Sequence, residues 1–117
     1  MKGIVITAKN EISIREFSEP LYRSVGEFIG GDVEHVSPRG LESPYCMFVD
    51  ESGLLKKLPL NKVGSTLYQT YLHGSPIVGT VVILKDVLAY EGVETVGLDE
   101  DDIYYLLPKL EWLVPDI

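Results

Sequence analysis

The sequence predicts an α+β fold, with a mainly antiparallel sheet of five or six strands and two short helices. Six segments have the apolar or alternating pattern of strands, whereas only two carry clear helix caps. The strands do not alternate regularly with helices, as they would in a parallel α/β fold. A length of 117 residues fits one domain. We expect a sheet-rich body over residues 1–97 and an acidic helix and tail over residues 98–117.

The first half of the chain contains four predicted strands and one helix. GIVIT at 3–7 and EISIREF at 11–17 predict a hairpin. SEPLYRSVGEFIGG at 18–31 predicts a helix that is capped by Ser18. Gly30 and Gly31 should end this helix, because glycine readily adopts the positive φ of a helix C-cap. DVEHV at 32–36 predicts the third strand, 37–44 a loop, and YCMFV at 45–49 the fourth strand.

The segment DESGLLKKLPLN at 50–61 predicts the turn and return strand of a second hairpin. Gly53 would close the turn, and Pro59 would end the strand because it has no amide hydrogen to donate. A short helical turn is expected near residues 67–72. IVGTVVILKDV at 77–87 predicts a central strand, in which Gly79 marks a bulge or a close approach. Asp99 is the predicted N-cap of a C-terminal helix that Pro108 should end or kink.

The charge of the chain is unevenly distributed. The net charge is −8, and residues 85–117, the acidic C-terminal region, carry nine acids but only two lysines. Residues 1–84 carry nine acids and eight basic side chains, so the body is nearly neutral and has room for a local basic site. This balance argues against direct nucleic-acid binding, which requires an excess of lysine and arginine.

The composition also bears on cellular location. No uninterrupted run of about 18 apolar residues is present, so we expect no membrane span. The short apolar run near the N-terminus lacks the length and cleavage site of a signal peptide. The single cysteine fits a reducing cytoplasm.

The residues that could support catalysis or bind a metal show weak patterns. Cys46 could be a nucleophile with His35 or His73 as its base, and these three could also be zinc ligands. However, Cys46 lies within a predicted strand, where a buried thiol is usual, and none of the three has a second ligand a few residues away. The acidic run at 99–102 lacks the spacing of a calcium loop. We therefore expect no catalytic residues, no metal and no cofactor.

The body contains the side chains best suited to a small ligand. Aromatic rings near residue 70 could stack on a planar ligand, although packing over one end of the sheet is the more common role. Arginines and one of two adjacent lysines could bind an anion, and Asn61 could either contact a base or close a turn. The alternative for the lysines is a solvated edge strand. The predicted ligand-binding residues are Arg23, Arg39, Lys56, Lys57, Asn61, Tyr68, Tyr71 and His73.

Three segments, FIGGDVEHV, VDESGLLKKLPLN and IVGTVVILK, resemble the recurring segments of a known family. This is a family of small uncharacterised proteins from bacteria and their phages and mobile elements. The resemblance covers roughly residues 1–88, with a shorter match at GLDEDDI. It implies a cytoplasmic accessory protein with no established activity and no catalytic residues. The matching positions are Gly30, Gly31, Glu34, Glu51, Gly53, Leu58, Pro59, Asn61 and Gly79.

Two functions remain open from the sequence. The first is a non-catalytic protein that binds and sequesters a small nucleotide-like molecule, such as a host defence signal, in a homo-oligomer with pockets between subunits. The second is an acidic inhibitor that mimics nucleic acid and occupies a basic groove on a host defence enzyme. Solubility alone would also explain the acidity.

Overall fold

The structure of the protein is a computed structural model, which describes residues 1–115 apart from the side chain of His73. The elements are β1 (Lys2–Ile6), β2 (Ile12–Glu16), α1 (Leu21–Ile29), β3 (Val33–Val36), β4 (Tyr45–Asp50), α2 (Lys62–Tyr68), α3 (Thr70–His73), β5 (Val81–Ala89), β6 (Gly92–Val96) and α4 (Glu100–Leu113). The six strands form one sheet with the order β2-β1-β5-β4-β3, and β6 also pairs with β5. All neighbouring strands are antiparallel, so the predicted α+β class is confirmed.

The centre of the sheet, in β1, β4 and the first half of β5, is buried on both faces, and successive strand residues point to opposite sides. In β1, Ile4 and Ile6 belong to the core that α2 and α4 cover, whereas Val5 belongs to a second core under α1. The same alternation runs through β4 and β5, where Met47 and Ile83 face the first core. The residues of β4 and β5 that face the second core are Cys46, Phe48, Val82 and Leu84.

The predicted return strand at 54–58 is wrong, although the predicted number of strands is right. Residues 51–57 form consecutive turns, in which Lys56 N donates to Ser52 O at 2.9 Å and Leu58 N donates to Gly53 O at 3.1 Å. These local hydrogen bonds satisfy the backbone that a strand would offer to a neighbour. The sixth strand is β6, which pairs with the end of β5.

The helices differ from the prediction at their ends. The N-cap of α1 is Pro20 rather than Ser18, and Gly30 ends the helix with φ of 99°, as expected. The expected turn near residues 67–72 is two helices, α2 and α3. Asp99 caps α4 as predicted, but α4 continues through Pro108 to Leu113. Packing explains this continuation, since Leu106 and Leu110 are both fully buried and hold the helix on the two sides of Pro108.

Two predictions about the whole molecule concern membranes and assembly. Within residues 1–115, the longest helices are too short and too polar to cross a membrane. Strands β2 and β3 lie at the two ends of the sheet and could pair with another chain. The expected homo-oligomer stays a prediction. Asp116 and Ile117, which end the predicted acidic tail, lie outside the described residues.

Candidate functional site

The turns after β4 are organised by the buried carboxylate of Asp50. Its Oδ1 accepts from Ser52 N at 2.8 Å, and its Oδ2 accepts from Lys56 Nζ at 2.7 Å. Lys56 Nζ also donates to the carbonyl of Gly30 at 3.2 Å, which ties this loop to the end of α1. Lys57 is exposed and has a positive φ of 58°. Because this segment is not a strand, Lys56 and Lys57 do not point to opposite faces of a sheet. Lys56 instead stabilises the loop through its bonds to Asp50 and Gly30.

Of the two roles that the sequence allowed for Asn61, ligand contact and turn closure, the structure shows turn closure. Its side chain is fully buried and accepts from Gly64 N at 2.8 Å, which caps α2. Its Nδ2 donates to Ile6 O at 3.0 Å and to Gly79 O at 2.8 Å. Both N–H groups are committed to the protein, so Asn61 has no donor for a ligand.

The glycines near Asn61 allow two segments to pack closely. A Cβ on Gly79 would lie 2.8 Å from Leu58 Cδ1, and a Cβ on Gly53 would lie 2.8 Å from Val78 Cγ2. Gly79 also has a positive φ of 75°, which side chains other than glycine rarely adopt. The residues that carry the family resemblance thus include Asn61 and both glycines of this junction, where they have structural roles.

The predicted aromatic cluster does not form a basic pocket. Tyr68 packs against the first core, which α2 and α4 cover, and lines a cavity of about 190 Å³. The charged residues that line this cavity are Glu34, Asp50 and Glu51, whose carboxylates would oppose a phosphate. Tyr71 is 77% exposed, and the side chain of His73 lies outside the described part of the structure.

The two predicted arginines lie in different grooves. Arg23 lines an open groove of about 740 Å³ beside Tyr22, between α1 and the start of β3. Arg39 lines a smaller cavity of about 240 Å³ that reaches Asp86. Glu27 and Asp32 line the first groove together with Arg23. The structure therefore distributes the predicted ligand-binding residues over several surfaces rather than one site.

The structure does assemble a cluster of His35, Cys46 and Asp86. His35 lies on β3, Cys46 on β4 and Asp86 on β5, and one ligand atom from each lies within 4.8 Å of the other two. His35 Nε2 is 2.8 Å from Asp86 Oδ2, and Thr95 Oγ1 donates to Asp86 Oδ1 at 2.7 Å. An ionised carboxylate only accepts, so Nε2 carries the proton in this contact.

The surroundings of Cys46 oppose nucleophilic chemistry. Its side chain is 1% exposed, and burial is the main cause that raises the pKa of the thiol, followed by the negative charge of Asp86. A reactive cysteine needs a cationic partner that stabilises its thiolate. Here a carboxylate contacts both the thiol and the imidazole, so the arrangement keeps the thiol protonated.

The sequence indicated His35 and Cys46 but not Asp86. His35 is paired with Phe48, and Cys46 is paired with Leu84, so both side chains lie on the sheet face covered by α1. Asp86 follows Leu84 by two residues and shares this face. The alternation within each strand was visible in the sequence, but the register between the strands was not.

A second polar cluster joins the sheet to the start of α4. Tyr45 donates its hydroxyl to Asp102 Oδ1 at 2.9 Å, and Lys85 Nζ donates to Asp102 Oδ2 at 2.6 Å. Asp102 and Asp99 also form a reciprocal capping box. Burial acts to raise the pKa of Asp102, but the hydrogen bonds from Lys85, the Asp99 amide and Tyr45 outweigh it and lower the pKa. Burial and the bond to Asp102 raise the pKa of Tyr45 to about 12.

The outer face of α4 combines acids with exposed aromatic rings. Tyr104 is 86% exposed and Trp112 is 87% exposed. We define the outer face of α4 as the exposed residues Glu100, Asp101, Tyr104, Glu111 and Trp112. At about 100° per residue along the helix, these residues fall within an arc of about 120° on the side opposite the buried residues.

The acids of this face remain available to a partner. Within residues 1–115, the ion pairs made by acids of the acidic C-terminal region are those of Asp99 and Asp102 with Lys85, and of Asp86 with His35. Lys85 belongs to the same region. Glu100, Asp101 and Glu111 of α4 therefore form no ion pair within residues 1–115.

Comparisons with known proteins identify a family but no characterised relative. A family described as Domain of unknown function (DUF3846) matches residues 1–110. Neither the search of curated proteins nor the search of solved structures found a match. The match extends past the segments that carried the resemblance and includes most of α4.

Proposed function

We propose that this chain, which belongs to the DUF3846 family, is a non-catalytic accessory protein of phage or mobile-element type that inhibits a host defence enzyme. The inhibitor occupies a basic, nucleic-acid-binding groove of that enzyme through the outer face of α4. The observation that carries the proposal is the exposure of Tyr104 and Trp112 beside Glu100, Asp101 and Glu111, which form no ion pair within the described residues. The phage context rests on the resemblance of the three sequence segments.

The aromatic residues support a protein partner. Tryptophan and tyrosine are enriched among the residues that contribute most to protein–protein binding. Both rings project from a helix whose opposite side is anchored in the core by Leu106 and Leu110. Because the helix is fixed on the core, the backbone of Tyr104 and Trp112 loses little conformational entropy when a partner binds.

The acids support a basic partner. Glu100 and Asp101 lie in the first turn of α4, where they also stabilise the positive end of the helix dipole. Complementary charge accelerates association and makes it sensitive to salt. An inhibitor of this kind competes with DNA for the enzyme, and its potency falls as ionic strength rises.

Two surface variants test the role of the outer face of α4. In a plasmid-cleavage assay with a panel of host restriction nucleases, the wild-type protein should inhibit at least one enzyme. Trp112→Ala should weaken that inhibition by about thirtyfold or more, because loss of a hot-spot residue, a class in which tryptophan is enriched, costs about 2 kcal/mol or more. The double variant Glu100→Gln/Asp101→Asn should slow association and reduce the salt dependence.

Matched controls separate the outer face from general effects of charge and aromatic exposure. Glu11→Gln/Glu19→Gln changes the net charge equally at exposed positions outside α4. Tyr71→Ala removes an exposed ring from α3. Both control proteins should inhibit like the wild type, and circular dichroism should show that all variants are folded. Equal inhibition by Trp112→Ala and the wild type, or no inhibition by the wild type of any enzyme, would contradict the proposal.

A second candidate function is the sequestration of a small nucleotide-like molecule. The groove beside α1 favours it, because its volume of about 740 Å³ lies within the usual range for small-molecule sites. Tyr22, which is 58% exposed, offers a ring for stacking, and Arg23 offers a phosphate contact. Glu27 and Asp32 oppose a highly charged ligand, so this candidate ranks second.

Ligand release and thermal shift test this second candidate. Mass spectrometry of the natively purified and then denatured protein should detect a released nucleotide, and cyclic dinucleotides or ADP-ribose should raise the Tm. Arg23→Ala should abolish the Tm shift, whereas Arg39→Ala, in a different cavity, should retain it. If no released nucleotide and no shift are observed, the groove does not bind this class of ligand.

A further inference from the structure

We infer that His35, Cys46 and Asp86 form a binding site for one zinc-like transition-metal ion on the α1 face of the sheet. The site would use His35 Nε2, Cys46 Sγ and a carboxylate oxygen of Asp86 as ligands. One ring nitrogen of His35, Cys46 Sγ and one carboxylate oxygen of Asp86 all lie within 4.8 Å of one another. The inference does not depend on the proposed inhibition, because the cluster and the outer face of α4 have no residue in common.

The geometry of the cluster is close to that of a tetrahedral metal site. Metal–ligand bonds of about 2.0–2.3 Å place the ligand atoms of such a site roughly 3.3–3.6 Å apart. His35 Nε2 and Asp86 Oδ2, now 2.8 Å apart, must separate by about half an ångström to meet this geometry. A contact of Cys46 Sγ at the 4.8 Å limit would have to shorten by about 1.2 Å, which would require rotation of the partly exposed His35 and Asp86 side chains toward the thiol.

The strands supply a rigid framework for the three ligands. Each ligand comes from a different strand of the consecutive set β3, β4 and β5, and the pairing of these strands fixes the spacing of the side chains. The ring of His35 also packs edge-to-face on Phe48, with 5.2 Å between the ring centroids. A site on sheet strands keeps its geometry better than one on loops.

A further contact resembles the outer shell of known metal sites. Carboxylates that bind metals are usually held by a second hydrogen bond, which orients them. Thr95 Oγ1 donates to Asp86 Oδ1 at 2.7 Å and leaves Oδ2 directed at His35. This hydrogen bond would persist when Oδ2 contacts the metal.

The donor atoms select the class of metal. A thiolate and an imidazole favour zinc and similar transition metals over Mg²⁺ and Ca²⁺, which prefer oxygen ligands. Cys46 and Asp86 as anions would neutralise a divalent cation, and the thiol proton would leave to solvent. The neutral imidazole of His35 would bind as its Nδ1–H tautomer: the Nε2 proton leaves to solvent and Nδ1 takes one up, so Nε2 offers its lone pair to the ion. Asp86 also lines a cavity of about 240 Å³, which would admit water as a fourth ligand.

Cobalt binding tests this inference, because Co²⁺ replaces Zn²⁺ and is coloured. After removal of metal with EDTA, the full-length protein should bind one equivalent of Co²⁺ with a sulfur-to-cobalt charge-transfer band and intense visible bands. One equivalent of Zn²⁺ should bleach this spectrum, and Zn²⁺ should raise the Tm of the metal-free protein. His35→Gln and Asp86→Asn should each weaken Co²⁺ binding by at least about tenfold.

The controls keep the test decisive. Cys46→Ser should lose the charge-transfer band, but it alters a buried position, so the folding of each variant is checked by circular dichroism. His73→Gln removes the other histidine of the chain and should bind Co²⁺ like the wild type. If the wild type shows no charge-transfer band, or if His35→Gln and Asp86→Asn bind Co²⁺ as tightly as the wild type, the cluster is only a hydrogen-bonded structural network.

Discussion

Replacement of Asn61 by alanine is expected to reduce the free energy of unfolding by about 3–5 kcal/mol, because several buried polar groups lose their partners at once. The carbonyls of Ile6 and Gly79 would lose their donor, and the amide of Gly64 would lose its acceptor. These bonds connect β1, the start of α2 and the segment before β5, so the loss should affect the whole domain. Urea denaturation followed by circular dichroism measures the change.

The isosteric variant Asn61→Asp separates the donors from the cap. It keeps the acceptor for Gly64 but places a carboxylate against two carbonyl oxygens, which should raise the pKa of the new acid. Asn61→Asp should therefore be strongly destabilised at pH 8 and should recover partly near pH 5, where a protonated carboxyl offers one donor. Asn10→Gly is the control, because Asn10 has a positive φ of 66° that suits glycine. A loss below about 1 kcal/mol in Asn61→Ala would contradict the structural role.

Replacement of Asp102 by alanine should cost about 2–4 kcal/mol at pH 7, since it removes the capping box and leaves Lys85 without its principal partner. Asp102 is 9% exposed, and its Oδ2 accepts from both Lys85 Nζ and Asp99 N. Asp101→Asn is the matched control, because Asp101 is the exposed neighbour in the same helical turn and should change stability by less than about 0.5 kcal/mol. Equal stability of the two variants would contradict the role of Asp102.

The same network predicts how stability depends on pH. The folded state lowers the pKa of Asp102 from its usual value of 3.8, so the stabilisation is present above that value and is lost as pH falls through the lowered pKa. The wild type should therefore lose its advantage over Asp102→Asn in strong acid. In base, the raised pKa of Lys85, due mainly to its bond with Asp102, contributes stability below pH 10.5. This contribution is lost as pH rises through the raised value. Denaturation from pH 2 to pH 11 measures the acid loss and the onset of the alkaline one.

The segment LLKKLPLN shows where prediction from sequence succeeded and failed. The sequence left Asn61 open between contacting a ligand and closing a turn, and the structure shows it as the N-cap of α2. The strand before Pro59 was wrong, because Asp50 captures Ser52 and Lys56 in a local turn network. A buried acid two residues before a serine is too common a pattern to reveal such a network from sequence.

For the candidate sites as well, the sequence predicted which residue types matter but not which of them come together. His35 and Cys46 were recognised as chemistry-bearing residues, but only the register of β3, β4 and β5 brings Asp86 beside them. The proposed pocket residues were selected by type, yet Arg23 and Arg39 line separate grooves. Residue type predicts what a side chain can do, whereas long-range pairing decides which neighbours it has.

By itself, the sequence determined the α+β class, the central position of the apolar strand β5, the Gly30 and Asp99 caps and the acidity of the C-terminal region. These features depend on local patterns of polarity, dihedral preference and capping, which act over a few residues. Tertiary structure alone decided that Lys56 binds Asp50, that Asn61 is buried, and that α4 continues through Pro108. Each of these depends on contacts between residues distant in sequence or on competition between buried packing and local preference. The apolar surface of the sheet and the register of its strands settle that competition.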